Sequence, residues 1–250
     1  YIMQQVKYVA NARNFSKIHG SPVAYWWNES CFDVFAKHKT TKSYVQASVG
    51  IQVVNQDRYI HMWWEIEKPD ICFDAKKVED SFSYYKWYPY NKGGDYRKWY
   101  GNDYNVIEWI NDGSLIKEES RRTGKHYQQY DDKLKFKKLI TWSRICSGQA
   151  AFRYKNEGFL SDMAGFSFFS DEMRLKAILA NCNSCVSKYF LKVLAPTLNF
   201  MIGQVSALPI SESILTNDVI IDSTNDCISI SKTDWDSFEN SWDFKKHPLI

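Results

Sequence analysis

The residues richest in chemistry lie in one stretch, Lys86 to Asn102, which reads K-W-Y-P-Y-N-K-G-G-D-Y-R-K-W-Y-G-N. Lys86, Lys92, Arg97 and Lys98 oppose a single acid, Asp95, and six aromatics interleave with them: Trp87, Tyr88, Tyr90, Tyr96, Trp99 and Tyr100. Cations, flat rings and a glycine pair suit a phosphate-lined surface. Ammonium and guanidinium groups neutralise phosphates, bare backbone amides donate to them, and rings pack on sugars or bases. Lys92, Gly93, Gly94, Arg97 and Lys98 are therefore candidates for contact with a nucleic-acid backbone, and Trp99 for stacking or wedging, with a core role as its alternative. The competing reading of the whole stretch is a basic surface hairpin whose aromatics turn into the core. Pro89, which cannot donate to a ladder, and Gly93-Gly94 argue against an ordinary core strand.

Two further sets carry chemistry. Gln52, Asn55, Gln56 and Arg58 sit between strand-like runs, where side-chain amides and a guanidinium could be offered to base edges; a hydrated hairpin turn explains them as well. Lys117 to Lys138 holds eight cations against four acids. Arg121, Arg122 and Lys125 are its candidates for a strap along a nucleic-acid backbone. The alternative is a solvated helical face with i,i+4 ion pairs, the preferred reading for Asp131 to Lys138. Arg144 and Arg153 lie within apolar strands and either reach a phosphate or pair at a sheet edge.

Catalytic patterns are sparse. No glycine-rich strand-to-helix turn for S-adenosylmethionine and no N-P-P-Y motif occurs. Pro69-Asp70 and Asp131-Asp132-Lys133 are only fragments of a nuclease metal site. Cys182 and Cys185 form one C-x-x-C without a second pair or a nearby histidine, and both are expected on a buried stripe. The chain alone is expected to catalyse nothing and to hold no cofactor or metal.

Elements must position these groups. Trp27, Cys31, Val34 and Phe35 predict a helix over about 28–38. Residues 44–66 alternate like strands, as do Tyr104 to Ile110 and the runs between Leu139 and Phe169, and Asn111-Asp112-Gly113 marks a turn. A long helix is expected from an N-cap at Ser170 to Pro196. Phe200 to Ile210, F-M-I-G-Q-V-S-A-L-P-I, resembles the strand-turn that closes recognition domains in type I specificity subunits, and a short aromatic helix is expected over Thr233 to Ser241. The expected class is α+β: a short-stranded mixed or antiparallel sheet region with flanking helices.

The chain of 250 residues is 16% aromatic with a net charge of +3 and a mean hydropathy of −0.46. Residues 211–250 hold eight acids and three bases, so residues 1–210 carry an excess of eight positive charges. No run approaches the roughly 18 apolar residues of a membrane span, and six scattered cysteines fit free thiols in a reducing cytoplasm. The start at Tyr1, without a leader, reads as a piece of something longer.

The basic-aromatic stretch resembles the signature of PglX-type adenine-specific DNA methyltransferases of bacteriophage-exclusion systems and, more loosely, the recognition region of fused restriction-modification enzymes. Further blocks are similar in the same order: Gly20 to Trp26; Val49-Gly50-Ile51-Gln52 with Asn55-Gln56-Asp57-Arg58-Tyr59, where Val53 replaces the family's threonine; Ile140 to Ser143; Pro196 to Phe200; Ser231 to Glu239; and Asn240 to Pro248. The resemblance implies a target-recognition-like domain over 21–210. Residues 1–20 would be a linker from an upstream methyltransferase region, and 211–250 an acidic closing segment. It implies double-stranded DNA and the parent's own methyltransferase region as partners, S-adenosylmethionine as the parent's cofactor, N6-adenine methylation as the parent's reaction, and other phage-defence proteins as possible associates. The alternatives are part of a nuclease-methyltransferase with a cleavage role, or a protein-interaction platform.

Overall fold

The computed structural model of the protein describes residues 8–250, so the first seven residues of the expected linker lie outside it. Among the described residues eight strands form two sheets: β1 (Gln46–Ser48), β2 (Ile60–Met62), β3 (Trp87–Asn91), β4 (Asn105–Glu108), β5 (Leu139–Ser143), β6 (Phe152–Lys155), β7 (Leu160–Ser161) and β8 (Gly165–Phe169). The first sheet has the order β1-β8-β5-β6 and is antiparallel. The second has the order β2-β4-β3-β7, with β7 joining β3 in parallel. The flanking helices are α1 (Glu29–Lys37), α2 (Gln56–Tyr59), α3 (Ile110–Thr123), α4 (Glu172–Asn183), α5 (Cys185–Leu194), α6 (Ile202–Ser206) and α7 (Asp218–Trp235). The class is α+β, as expected, and among the described residues no helix is long and apolar enough to cross a membrane.

The sequence argument against a core strand at Trp87 fails, because β3 is buried along its whole length between β4 and β7. Register shows how Pro89 fits. Tyr88 and Tyr90 pair with Ile107 and Asn105 of β4. On the other side, the Trp87 carbonyl accepts from the Cys72 N–H and the Asn91 carbonyl from the Asp162 N–H, both at 2.9 Å. Residues alternate sides along an antiparallel ladder, so Pro89 shares that second side, where β7 begins pairing only at Tyr90. Its missing N–H therefore breaks no ladder bond.

One face of the first sheet is apolar. Ile140, Trp142, Phe152, Tyr154, Phe166 and Phe168 pack on Leu175, Ile178 and Leu179 of α4 and on Phe190 and Leu191 of α5. Trp142 is fully buried, and its indole N–H donates to the Phe200 carbonyl at 2.8 Å, so burial strands no donor. Tyr88, Tyr90, Ile107 and Trp109 form a second core with Tyr59, Ile116, Tyr130 and Phe136. Between the cores the alternation puts buried polar residues on the reverse face of the first sheet: Thr141, Ser143, Arg153, Lys155 and Ser167. Asn91 at the end of β3 donates to the Thr141 hydroxyl at 2.7 Å, and the Ser161 and Ser167 hydroxyls share a hydrogen bond at 3.0 Å. This polar seam joins the two sheets.

The helices correct several expectations. Asn28 caps α1 by accepting from the Cys31 N–H at 3.1 Å, so that helix stands as read. The long helix after Ser170 is two. Asp171, not Ser170, caps α4, while Ser184 at ψ 157° breaks the run and caps α5 through the Ser187 N–H. The break shifts the helical phase: Cys182 is buried, but Cys185, Val186 and Tyr189 are exposed rather than on one buried stripe. Phe200 to Ile210 carries the helical turn α6 instead of a strand, with the Gln204 side chain accepting from the Met201 N–H at 2.9 Å. Asp131 to Lys138 is not a helical face, since only Asp132–Leu134 makes a single 3-10 turn. In the closing segment the helix is α7, running along α4, and the aromatic residues from Trp235 fall at and beyond its end. Of the expected linker, Ile18 is buried in the first core and Phe15 packs against it.

The 111–113 turn is left-handed, with φ near 52°, 52° and 66° at Asn111, Asp112 and Gly113. It aims the Asp112 carboxylate at two ammonium groups, Lys117 and the fully buried Lys135, the latter at 2.8 Å. Burial pushes the Asp112 carboxyl up, but these two partners outweigh it and hold it below the usual carboxylate range. A depressed carboxylate contributes stability above its ordinary pKa, about 4, that is lost as pH falls through its folded value. Asp112→Asn, which keeps the left-handed backbone favourable, is expected to cost about 2 kcal/mol at neutral pH, because the buried Lys135 loses one of its two carboxylates and keeps Asp132 at 2.6 Å. It should also flatten the acid limb of the stability curve, read by denaturant unfolding from pH 7 down to 3; an unchanged acid limb would contradict this assignment.

Candidate nucleic-acid interface

The thirteen residues from Lys92 to Tyr104 connect β3 to β4 and carry most of the chemistry read from the sequence. The loop is held from β6. The Trp99 N–H donates to the Phe152 carbonyl and the Tyr154 N–H to the Trp99 carbonyl, both at 2.8 Å, so Trp99 adds one residue of pairing to the edge of the first sheet. From the reverse face of β6 come two buried cations. Arg153 donates to the Arg97 carbonyl at 3.2 Å, and Lys155 donates to the Gly101 carbonyl at 2.7 Å and pairs with the Asp103 carboxylate. The Ser143 hydroxyl donates to the Gly94 carbonyl at 2.7 Å. These anchors hold Trp99 and Asn102 in the left-handed region, at φ 71° and 63°. Arg153 has no carboxylate partner among the described residues, and burial pushes its guanidinium down to about 10.

The loop's side chains are largely engaged. Arg97 pairs with Asp234 of α7 and lies 5.1 Å from the Trp235 ring. Lys98 donates to the Asn183 carbonyl at 2.8 Å, and burial together with the like charge of Lys188 pushes its ammonium down. Trp99 is half-buried against the first core. Gly93 is buried, with φ 90°; a Cβ there would lie 3.3 Å from the Ala164 carbonyl oxygen and from the Ser143 hydroxyl. Its glycine requirement is therefore internal packing. Lys92 is half-buried near Asp162, whose carboxyl is raised by burial and accepts from Tyr90. Gly94 and Tyr96 face outward.

The other two candidate sets converge, although some sixty residues separate them. Gly50 lets the chain pass against β7, where a Cβ would sit 2.2 Å from the Ser161 carbonyl oxygen. The Gln52 N–H then donates to the Gln128 carbonyl at 2.9 Å, just beyond α3. Residues 56–59 are the helical turn α2 rather than an open loop. Glu119 of α3 ties it down: its carboxylate accepts from the Tyr59 hydroxyl at 2.6 Å and from Arg58 at 3.2 Å. The hydrogen bond from Tyr59 holds the Glu119 carboxyl low, with Asn55, Arg58 and Arg122 adding to it, while burial and that carboxylate push the Tyr59 hydroxyl up to about 12. Around this anchor Gln56, Arg58, Arg121, Arg122 and Lys125 are exposed. Among the described residues Arg121, Arg122 and Lys125 form no ion pair. Arg121 and Arg122 lie in the last turn of α3 and Lys125 just beyond it; Gly124 ends the helix in the left-handed region at φ 69°, and the helix's carbonyl end favours their charge.

Arg153, read as reaching a phosphate or pairing at a sheet edge, is instead buried on loop carbonyls, and Lys155 and Glu119 were missed as organising residues. The signal for the first two was present in F-R-Y-K, where strand alternation sends every second side chain to one face. Nothing in the sequence indicates that Glu119 meets residues 55–59. The nuclease fragments do not form a cluster, because among the described residues no group of three or more His, Cys, Asp and Glu could hold a metal ion.

The folded chain is thus an α+β module that displays amides and cations from a rigid frame. No family model matches it. It is 37% identical over 250 residues to the adenine-specific methyltransferase PglX of Lacticaseibacillus casei (strain Zhang), covering 97% of this chain and 20% of that protein. It is 34% identical over 241 residues to the adenine-specific methyltransferase BrxX of Escherichia coli O9:H4 (strain HS), covering 95% of this chain and 18% of that protein. The chain spans about a fifth of the length of these curated relatives and corresponds to one segment of a PglX-type protein.

The packing of α7 over the loop separates a buried ring from an exposed ion pair. Trp235 is 3% exposed and lies 4.9 Å from the Tyr104 ring, whereas the Asp234 side chain is 62% exposed. Trp235→Ala is expected to cost about 3–5 kcal/mol. Asp234→Asn should cost less than about 1 kcal/mol. Denaturant unfolding of both variants checks this, and equal costs would overturn it.

Proposed function

We propose that this chain is the DNA-recognition part of an adenine-specific methyltransferase of the PglX type, working in the cytoplasm in phage defence. In this reading the parent's remaining portion binds S-adenosylmethionine and methylates the N6 of adenine. This part selects the site on double-stranded DNA and grips the duplex beside its own methyltransferase region. The observation that carries the reading is the meeting of two distant sets around Glu119: amides and a guanidinium from residues 52–58, and free cations at 121–125. Such a surface divides the labour of a DNA reader. Arg121, Arg122 and Lys125 would take phosphates and fix register, while Gln52, Asn55, Gln56 and Arg58 would meet base edges in a groove. Of the β3–β4 loop, Lys92 and the Gly94 backbone would add phosphate contacts. Arg97 and Lys98 would join only by leaving Asp234 and the Asn183 carbonyl.

Duplex binding over a salt series tests this, with the chain alone and joined to the rest of its parent. The logarithm of affinity should fall steeply with the logarithm of salt concentration, and Arg121→Ala/Arg122→Ala should make the slope shallower by about 2. Gln52→Ala/Gln56→Ala should leave the slope unchanged and erode discrimination between sites by about 1–3 kcal/mol per lost amide contact. Salt-insensitive binding, or a slope that ignores the arginines, would overturn the reading.

A further inference from the structure

A second cationic feature lies outside the surface around Glu119. A cleft of about 290 Å³ opens between the β5–β6 loop, the α4–α5 junction, α5 and the segment that follows it. Lys98, Lys188 and Lys192 line it, no acidic residue does, and among the described residues none of the three is ion-paired. Ammonium groups gathered around a partly enclosed space repel one another unless an anion sits among them. The rest of the lining is of another kind. Leu191 and Leu198 give apolar walls, and Gln149 stands exposed at the rim, its side chain without a hydrogen-bond partner among the described residues. A site for inorganic anions alone has no use for such walls. The volume lies at the lower end of small-molecule pockets, about 300 Å³, which suits one monomer unit and not two.

We infer that this cleft binds a single phosphorylated nucleoside, with its phosphate among Lys98, Lys188 and Lys192, its base against Leu191 and Leu198, and a base edge within reach of Gln149. The base lies flat on apolar side chains, as bases do on single-strand binding surfaces, and the lysines act as point charges on the phosphate. The same chemistry is presented by a free mononucleotide and by a unit within an unpaired DNA strand. The inference does not depend on the duplex-reading surface around Glu119, because the cleft is built on the first sheet and its helices and that surface on the second; Lys98 alone has a part in both proposals.

The test is calorimetric titration of the chain with adenosine monophosphate, adenosine, inorganic phosphate and a ten-nucleotide single strand. The monophosphate is expected to bind at least tenfold more tightly than either adenosine or phosphate. Lys188→Glu/Lys192→Glu, on the exposed side of α5, should weaken it by more than tenfold without moving the melting temperature. Leu198→Asp, exposed and outside any strand or helix, should weaken it too. Arg121→Ala/Arg122→Ala should leave it unchanged, so loss of duplex binding and loss of nucleotide binding are separable. Tighter binding of the oligonucleotide, displacing the monophosphate, identifies the strand as the source; tighter binding of the monophosphate identifies the free nucleotide. No binding of either, equal binding of phosphate alone, or indifference to the α5 variant would overturn the inference.

Discussion

The structure depends on two buried cations on one short strand. Along β6, Phe152 and Tyr154 face the apolar core while Arg153 and Lys155 face the other way, into a layer where the second sheet and the β3–β4 loop meet the first. A buried ammonium or guanidinium is tolerated only where polar groups surround it. Here they are backbone carbonyls of the loop, at Arg97 and Gly101, together with Asp103. Each cation thus fixes a loop segment that has no regular structure of its own. The seam is continued by Asn91 on Thr141 and by Ser161 on Ser167. Two sheets that could slide over an oily interface are locked in one relation by directional bonds.

That arrangement divides the chain's positive charge into two populations. One holds the fold together: Lys135 between two carboxylates, Lys155 against Asp103, Arg153 on carbonyls and Arg97 under α7. The other, among the described residues without acidic partners, stands at the end of α3 and around the cleft beside α5, apart from the lysines and arginines held in surface ion pairs such as Lys39 with Glu212. Counting lysines and arginines by stretch does not separate them. The stretch with the densest cations and rings is mostly architecture, and the surface charge is assembled from pieces distant in the chain.

The legible parts of the sequence were those governed by local rules. The helix over about 28–38, the 111–113 turn and the alternating runs from Leu139 to Phe169 all follow from a few neighbouring residues, and the α+β class followed from them. What was not legible depends on partners elsewhere. Pro89 looked incompatible with a core strand because its neighbour on the N–H side, β7, starts one residue later, and a single strand cannot reveal that. The run from Ser170 to Pro196 looked like one helix because Ser184 is an acceptable helical residue until its hydroxyl is drawn into capping the next segment. The candidates at 52–58 and 121–125 were each identifiable by type, but their proximity rests on Glu119.

The β3–β4 loop has a further consequence for how the molecule comes into being. Its anchors on β6 lie about fifty residues later in the chain. Closing so long a span has an entropic cost that only the later contacts offset. The loop therefore acquires its shape after the β5–β6 hairpin exists. A peptide copied from Lys86 to Asn102 would carry every side chain of the signature and none of its conformation. As the chain emerges from the ribosome, the segment that looks most distinctive in the sequence must wait for β6 before it can become structured.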